Sequence, residues 1–248
     1  MGKYSLHVKF AELPIRIICQ TKTDAFFLKE KYREYIDNIS DLNSNYREVY
    51  LKIGYRSKVA IKNTTFYLYL SSLRKDFFTF NMNLRRVFIY LVNRNNGFVL
   101  HASSLVKDNF GYIFAGKAGK GKSTIRKLFP ELISLGDDSA IIRKIGKSYF
   151  LFGSPFHQRT KTAYPNIKVH IKIVAMINKS LKNQLGILSF PDNLTSMTTN
   201  AFVSYIGNKE EEREQLIKTV FNFCQLNNIY DFKFRKERSI LSVIDHNI

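Results

Sequence analysis

The stretch Gly116-Lys117-Ala118-Gly119-Lys120-Gly121-Lys122-Ser123 constrains this chain more than any other. It fits G-x-x-x-x-G-K-[ST] at every position. Glycines at these places let backbone N–H groups turn inward around phosphate oxygens. The lysine then reaches the β- and γ-phosphates, and the hydroxyl meets Mg²⁺. The pattern works between a strand and a helix. The apolar run 112–115 reads as the strand, and 123–129 as the helix, stopped near Pro130. The helix N-terminus adds partial positive charge to the anion site. Nucleoside triphosphate binding is therefore expected, through Gly116, Gly119, Lys120, Gly121, Lys122, Ser123 and Thr124. The alternative is a Gly/Lys-rich surface turn.

A phosphate loop needs acidic company, because Mg²⁺ prefers oxygen ligands and takes one or two carboxylates besides phosphate. Asp137 and Asp138 close the next predicted strand, 132–135, and with Ser123 form the candidate metal set. One carboxylate can serve the metal while the other accepts a proton from an attacking hydroxyl. The alternative is a solvated Asp-Asp turn after Gly136. Asp137, Asp138, His101 and Lys122 are the candidate catalytic residues, with His101 either an acid/base, a phosphate contact or a structural histidine. His157 and Arg159, in a loop after Pro155, are candidate substrate contacts. Asn178-Lys179 ends a predicted strand like the guanine-reading N-K-x-D element, but Leu181 stands where the aspartate belongs. A GTPase reading is weak.

Periodicity organises the rest. Strands are expected over 4–10, 14–19, 50–55, 59–61 and 66–70, with a helix over 23–36 capped by Asp24. Leu84, Val87, Phe88 and Leu91 mark a helix over 76–92, with Gly97 as its C′ residue. A boundary follows, separating an N-terminal α+β region (1–96) from a second domain (97–248). Strands at 98–106 and 111–115 form a hairpin if centred on Asp108-Asn109, which puts His101 opposite Gly116. Further on, a meander (140–143, 149–152), a long strand (168–177) and helices over 194–206 and 210–226 are expected. Ile217, Val220, Phe221 and Cys224 read as the core stripe of the last helix.

A length of 248 residues allows one large or two small domains, and 45% hydrophobic content supports a core. Cys19 and Cys224 lack metal-ligand spacing and fit buried thiols in a reduced compartment. Neither a secretory signal nor an apolar run near the ~20 residues of a membrane span is seen, so a soluble cytoplasmic protein is expected. The net charge of +19 allows nucleic acid, a polyanion or an acidic partner; A/T-rich codons, which favour Lys, Asn, Ile, Phe and Tyr, explain it equally well.

Read together, His101-Ala102-Ser103-Ser104-Leu105-Val106, the loop 116–123 and Gly136-Asp137-Asp138 resemble the HPr kinase/phosphorylase family and related phosphoenolpyruvate-carboxykinase-like kinases. Gly153-Ser154-Pro155-Phe156-His157 is similar to a segment of smaller relatives, some of which phosphorylate precursor peptides such as those of lasso peptides. The resemblance covers roughly 97–179. It implies an α/β fold with a mixed-sheet P-loop kinase core, ATP and Mg²⁺ as cofactors, and transfer to a Ser/Thr-type hydroxyl of a peptide or small protein. In that frame Lys122 and Ser123 hold phosphate and metal, Asp137 and Asp138 share metal and base roles, and His101 lies near the transferred phosphate. The downstream signature used on HPr is missing, so HPr is not the implied acceptor. The other classes are a nucleotide-binding regulator without turnover and a polynucleotide-binding ATPase or kinase. A homo-oligomer is compatible with all three.

Overall fold

A computed structural model describes residues 4–37, 46–53, 58–62, 64–156 and 164–248. The chain is mixed α/β. In order, its elements are β1 (Tyr4–Phe10), β2 (Leu13–Cys19), α1 (Lys22–Lys31), β3 (Arg47–Ile53), β4 (Lys58–Lys62), β5 (Thr65–Leu70) and α2 (Phe77–Asn93). Then come β6 (Gly97–Leu100), β7 (Ala102–Lys107), β8 (Phe110–Ala115), α3 (Lys122–Leu128), β9 (Ile133–Gly136), β10 (Ala140–Ile145) and β11 (Ser148–Phe152). The chain finishes with β12 (Lys168–Lys179), β13 (Gln184–Ile187), α4 (Phe190–Asn200), α5 (Lys209–Leu226), β14 (Ile229–Phe234) and α6 (Ile240–Asn247).

Two mixed sheets result. The first has five strands in the order β1-β2-β3-β5-β4. The second has nine, with the main path β6-β10-β11-β12-β8-β7-β9 and β14 and β13 attached beside β12. β12 is long enough to serve two neighbours on one edge, β11 antiparallel at its start and β14 parallel at its end, while β8 runs parallel along the other. Alternation on these strands feeds two faces. Ile113, Ala115 and Val174 pack with Met197 of α4 and Leu216, Val220 and Phe223 of α5. Tyr112, Phe114, Ile173 and Ile177 pack with Ile125 of α3 and Ile240 and Ile244 of α6.

The hairpin falls in the expected register. Ala102 faces Ala115 and Lys107 faces Phe110, and the turn residues Asp108 and Asn109 take φ of 51° and 63°. Positive φ at both centres of a two-residue turn matches strand twist, and Asn and Asp tolerate it best after Gly. The strand expected over 98–106, however, breaks at His101. Its first half pairs β10 and its second half pairs β8 and β9, near opposite ends of the sheet path. The sheet must curl to let consecutive residues do this.

Other expectations change where tertiary partners decide. Thr21, not Asp24, caps α1, its side chain accepting from the Asp24 N–H. Gly97 opens β6 rather than capping α2; a Cβ there would lie 2.4 Å from Arg143 Cγ, and the left-handed residue of the turn is Asn96. The helix over 194–206 ends at Asn200 because Phe202 donates its N–H to Val99 O (2.8 Å), pairing that segment with β6. On α5 the buried stripe is Leu216, Val220, Phe223 and Cys224, whereas Ile217 and Phe221 are exposed. β13, β14 and α6 were not anticipated. Cys19 and Cys224 are buried free thiols. Among the described residues, no helix is long and apolar enough to cross a membrane.

Candidate functional site

The phosphate-loop sequence joins β8 directly to α3, as its pattern requires. Gly119 and Gly121 take φ of 81° and 109°, where a side chain is strained. At Gly121 a Cβ would also sit 2.5 Å from Phe234 Cζ, so glycine answers both backbone and packing. Lys122 opens α3 and is buried. Its ammonium donates to the carbonyls of Gly116 (2.6 Å) and Lys117 (3.2 Å), closing the loop on itself. Ser103 Oγ donates to Lys122 O (3.2 Å), so β7 braces the first turn of α3. Burial lowers the Lys122 pKa from its ordinary 10.5, and the nearby Asp138 carboxylate opposes that shift.

β9 ends at Gly136, so Asp137 and Asp138 emerge from a sheet edge held to β7. The two then diverge. Asp137 Oδ1 lies 2.5 Å from Arg126 Nε on α3. Asp138 Oδ1 lies 2.7 Å from His101 Nε2 at the break between β6 and β7. His101 is fixed in turn by its own N–H, which donates to Asn200 O (2.7 Å), and by the Phe202 ring at 5.7 Å.

These groups line one cleft of about 520 Å³ with Ser123, Thr124, Lys127, Phe156, Tyr164 and Lys179. Its chemistry is cationic around two carboxylates. Gly119 and Gly121 border it. Gly116 holds Lys122 from beneath, and Lys120 belongs to the turn, its N–H donating to Lys117 O (3.3 Å). Among the described residues, no group of three or more His, Cys, Asp or Glu side chains is placed to hold a metal. The oxygen set offered is the Ser123 hydroxyl with the two carboxylates. Hard oxygen donors, few in number and beside a phosphate loop, suit Mg²⁺, which draws remaining ligands from phosphates and water. His157 and Arg159 lie outside the described residues. Of the described residues before them, Ser154 N–H donates to Leu135 O (2.8 Å) on β9, and Gly153 N–H to Ile167 O (3.0 Å).

Sequence reasoning missed Arg85 and Tyr164 among the members of the cleft. Arg85, on α2, donates through Nη2 to Ser139 Oγ (2.6 Å), next to Asp138, and lies 4.6 Å over the Phe202 ring. The sequence signal was an arginine set among the apolar positions Leu84, Val87 and Phe88. Lys179, noted only within the failed N-K-x-D match, also lines the cleft, while Leu181 is exposed and Asn178 donates to Asp231 (3.2 Å). Arg143 is buried and ties Asn95 O (3.3 Å) and Ala11 O to β10. A scan against known protein families found no match to this sequence, and a search of curated proteins found none either.

Proposed function

We propose that this protein is an ATP-dependent kinase that transfers a phosphoryl group to a Ser- or Thr-type hydroxyl on a peptide or small protein. One observation carries the reading: Lys122 and Ser123 of the phosphate loop line the same cleft as the His101–Asp138 pair. Phosphoryl transfer needs mainly positioning and charge stabilisation, plus one group to take the acceptor proton. Lys122 supplies charge once polyphosphate oxygens replace the carbonyls of Gly116 and Lys117 as its partners. Asp138 is suited to receive the proton, because His101 holds one of its oxygens and leaves the other to the cleft. Asp137, tied to Arg126, is suited to the metal side with Ser123. Ser123 and Asp137 would hold Mg²⁺, which when bound would supply neutralisation of the phosphate charge. The resemblance to HPr-kinase-like enzymes supports the carboxykinase type of core and the hydroxyl acceptor. The +19 charge supports an acidic acceptor drawn in electrostatically.

The test is a phosphorylation screen read by mass spectrometry, with precursor-type peptides, free serine and short oligonucleotides side by side. Phosphate on peptide hydroxyls, lost in Asp138→Asn, is the expected result. Phosphate only on oligonucleotide termini would replace the peptide acceptor by a polynucleotide. ATP binding without transfer to any of them would leave a nucleotide-dependent regulator.

A further inference from the structure

We propose that Arg85 forms a second anion subsite in this cleft, one that takes the terminal phosphate of the bound nucleotide; this rests on the nucleotide reading of the cleft. α2 is buried on nearly every side, with Leu84, Val87, Phe88, Leu91 and Val92 in the core. An arginine in such a helix must have its charge answered, because a buried guanidinium without an anion is costly. Arg85 is 7% exposed, yet among the described residues it has no ion-pair partner. Its contacts are one neutral hydroxyl, Ser139 Oγ at 2.6 Å, and the face of Phe202. Its Nε makes no hydrogen bond among the described residues. Asp138, the carboxylate next in sequence to Ser139, attracts it but is paired with His101.

The guanidinium thus borders a cleft with spare donors and unneutralised charge. A planar fork of N–H groups matches the paired oxygens of a phosphate or a carboxylate. Its position selects which phosphate. Lys122, the loop and Arg85 line the same cleft, and the Asp138 carboxylate attracts both cations. Arg85 bonds Ser139 next to that carboxylate, where the acceptor proton is taken, so the phosphate it meets is the one that moves. Stacking on Phe202 and bonding to Ser139 hold the fork in place before the ligand arrives, which limits the ordering cost on binding. α2 belongs to the N-terminal half of the chain, so that half completes the site rather than decorating it.

Calorimetric titration of ATP, of ADP and of ADP with inorganic phosphate, each with Mg²⁺, tests this on wild type, Arg85→Gln, Arg85→Lys and Lys122→Ala. Arg85→Gln should weaken ATP about tenfold or more, the scale of a charge-assisted hydrogen bond, while ADP stays within about twofold. Lys122→Ala should weaken both. Wild-type protein loaded with ADP should bind inorganic phosphate, and Arg85→Gln should not. If Arg85→Gln fails to fold, Arg85→Lys carries the test, with a smaller ATP preference expected because the fork is lost. An unchanged ATP-to-ADP ratio in a folded variant overturns the subsite while leaving the kinase reading intact. The same unchanged ratio with a raised KM for the peptide assigns Arg85 to an acceptor carboxylate instead. Wild-type protein that binds neither nucleotide overturns both readings.

Discussion

Asp137 and Asp138 are adjacent in the chain but answer to different partners, Arg126 and His101. That difference separates their expected phenotypes. Asp138→Asn should lower kcat at saturating Mg²⁺ by about 100-fold, the scale of general base catalysis. His101→Ala should lower it in the same direction with little change in the Mg²⁺ requirement. Asp137→Asn should instead raise the Mg²⁺ concentration needed. Rates measured across a Mg²⁺ titration check all three, and indistinguishable titration curves for the two aspartate variants would remove the division of roles. Lys122 makes a pH prediction. Burial lowers its pKa below 10.5, whereas bound polyphosphate favours the ammonium, so binding takes up a proton once the free amine begins to titrate. ATP affinity should be flat near neutrality and fall as pH rises through that lowered value. Lys122→Arg, which keeps its charge, should flatten the alkaline limb in calorimetric titrations. The sign for folding is opposite. Between the lowered folded value and the unfolded value the unfolded chain binds more protons, so this group makes stability rise with pH.

At the level of elements, Gly121 shapes the loop, and Glu212 and Arg86 hold the segment after α4. Gly121→Ala meets both a left-handed φ of 109° and the Phe234 ring. Strain of about 1–3 kcal/mol is expected from the backbone alone. Nucleotide binding should suffer more than thermal stability, and adding Phe234→Leu should relieve the clash but not the backbone strain. After α4, the buried Glu212 carboxylate accepts from Ser204 Oγ and from the N–H groups of Tyr205 (2.9 Å), Ile206 (3.1 Å) and Gly207 (2.6 Å). Arg86 clasps the same segment through Ser204 O and Tyr205 O, both at 3.1 Å. This latch sets Phe202, the ring shared by Arg85 and His101. Glu212→Ala should cost about 3 kcal/mol or more, because several buried donors lose their acceptor. Glu211→Ala, which removes an exposed pair with Arg94, should cost under about 1 kcal/mol. Denaturant midpoints of the two variants, taken together, measure the difference.

For the whole molecule, the decisive fact is a shared core. Phe10, Tyr35 and Phe88 belong to one cluster with Val99, Ile141, Phe152 and Phe156 from beyond residue 96. The Phe10 ring meets the Phe156 ring at 5.7 Å, and Tyr35 OH donates to Tyr164 O (2.9 Å). A fragment of residues 97–248 would expose that cluster and lose Arg85. It should aggregate or remain without cooperative unfolding, and should bind no ATP. Circular dichroism melts and gel filtration of the fragment check this. A folded, ATP-binding fragment would support an independent domain boundary at 96. The long-range charge acts at this scale too, and the KM for an acidic acceptor should rise with salt.

The residues 101–138 show how far local information reaches. A turn centred on Asp108-Asn109 sets the hairpin register, and glycine spacing sets the loop, so the approach of His101 to the phosphate loop was readable before any fold was known. Asp137 and Asp138 were likewise placed at a strand end. Each of these follows from neighbours within a few residues, where backbone geometry and alternation act directly. What the chain alone left open was every choice among distant partners. His101 pairs with Asp138 rather than Asp137 because the strand breaks there and the sheet curls. Residues 201 and 202 leave the helix because β6 offers backbone hydrogen bonds, and Glu212 and Arg86 take those of 204–206. Arg85 enters the cleft because α2 packs against β6, with Ser139 and Phe202 at its side. Helical and strand periods identify which face is apolar. They carry no record of which polar side chain on that face will be buried, or against what, because that depends on contacts between segments far apart in the chain.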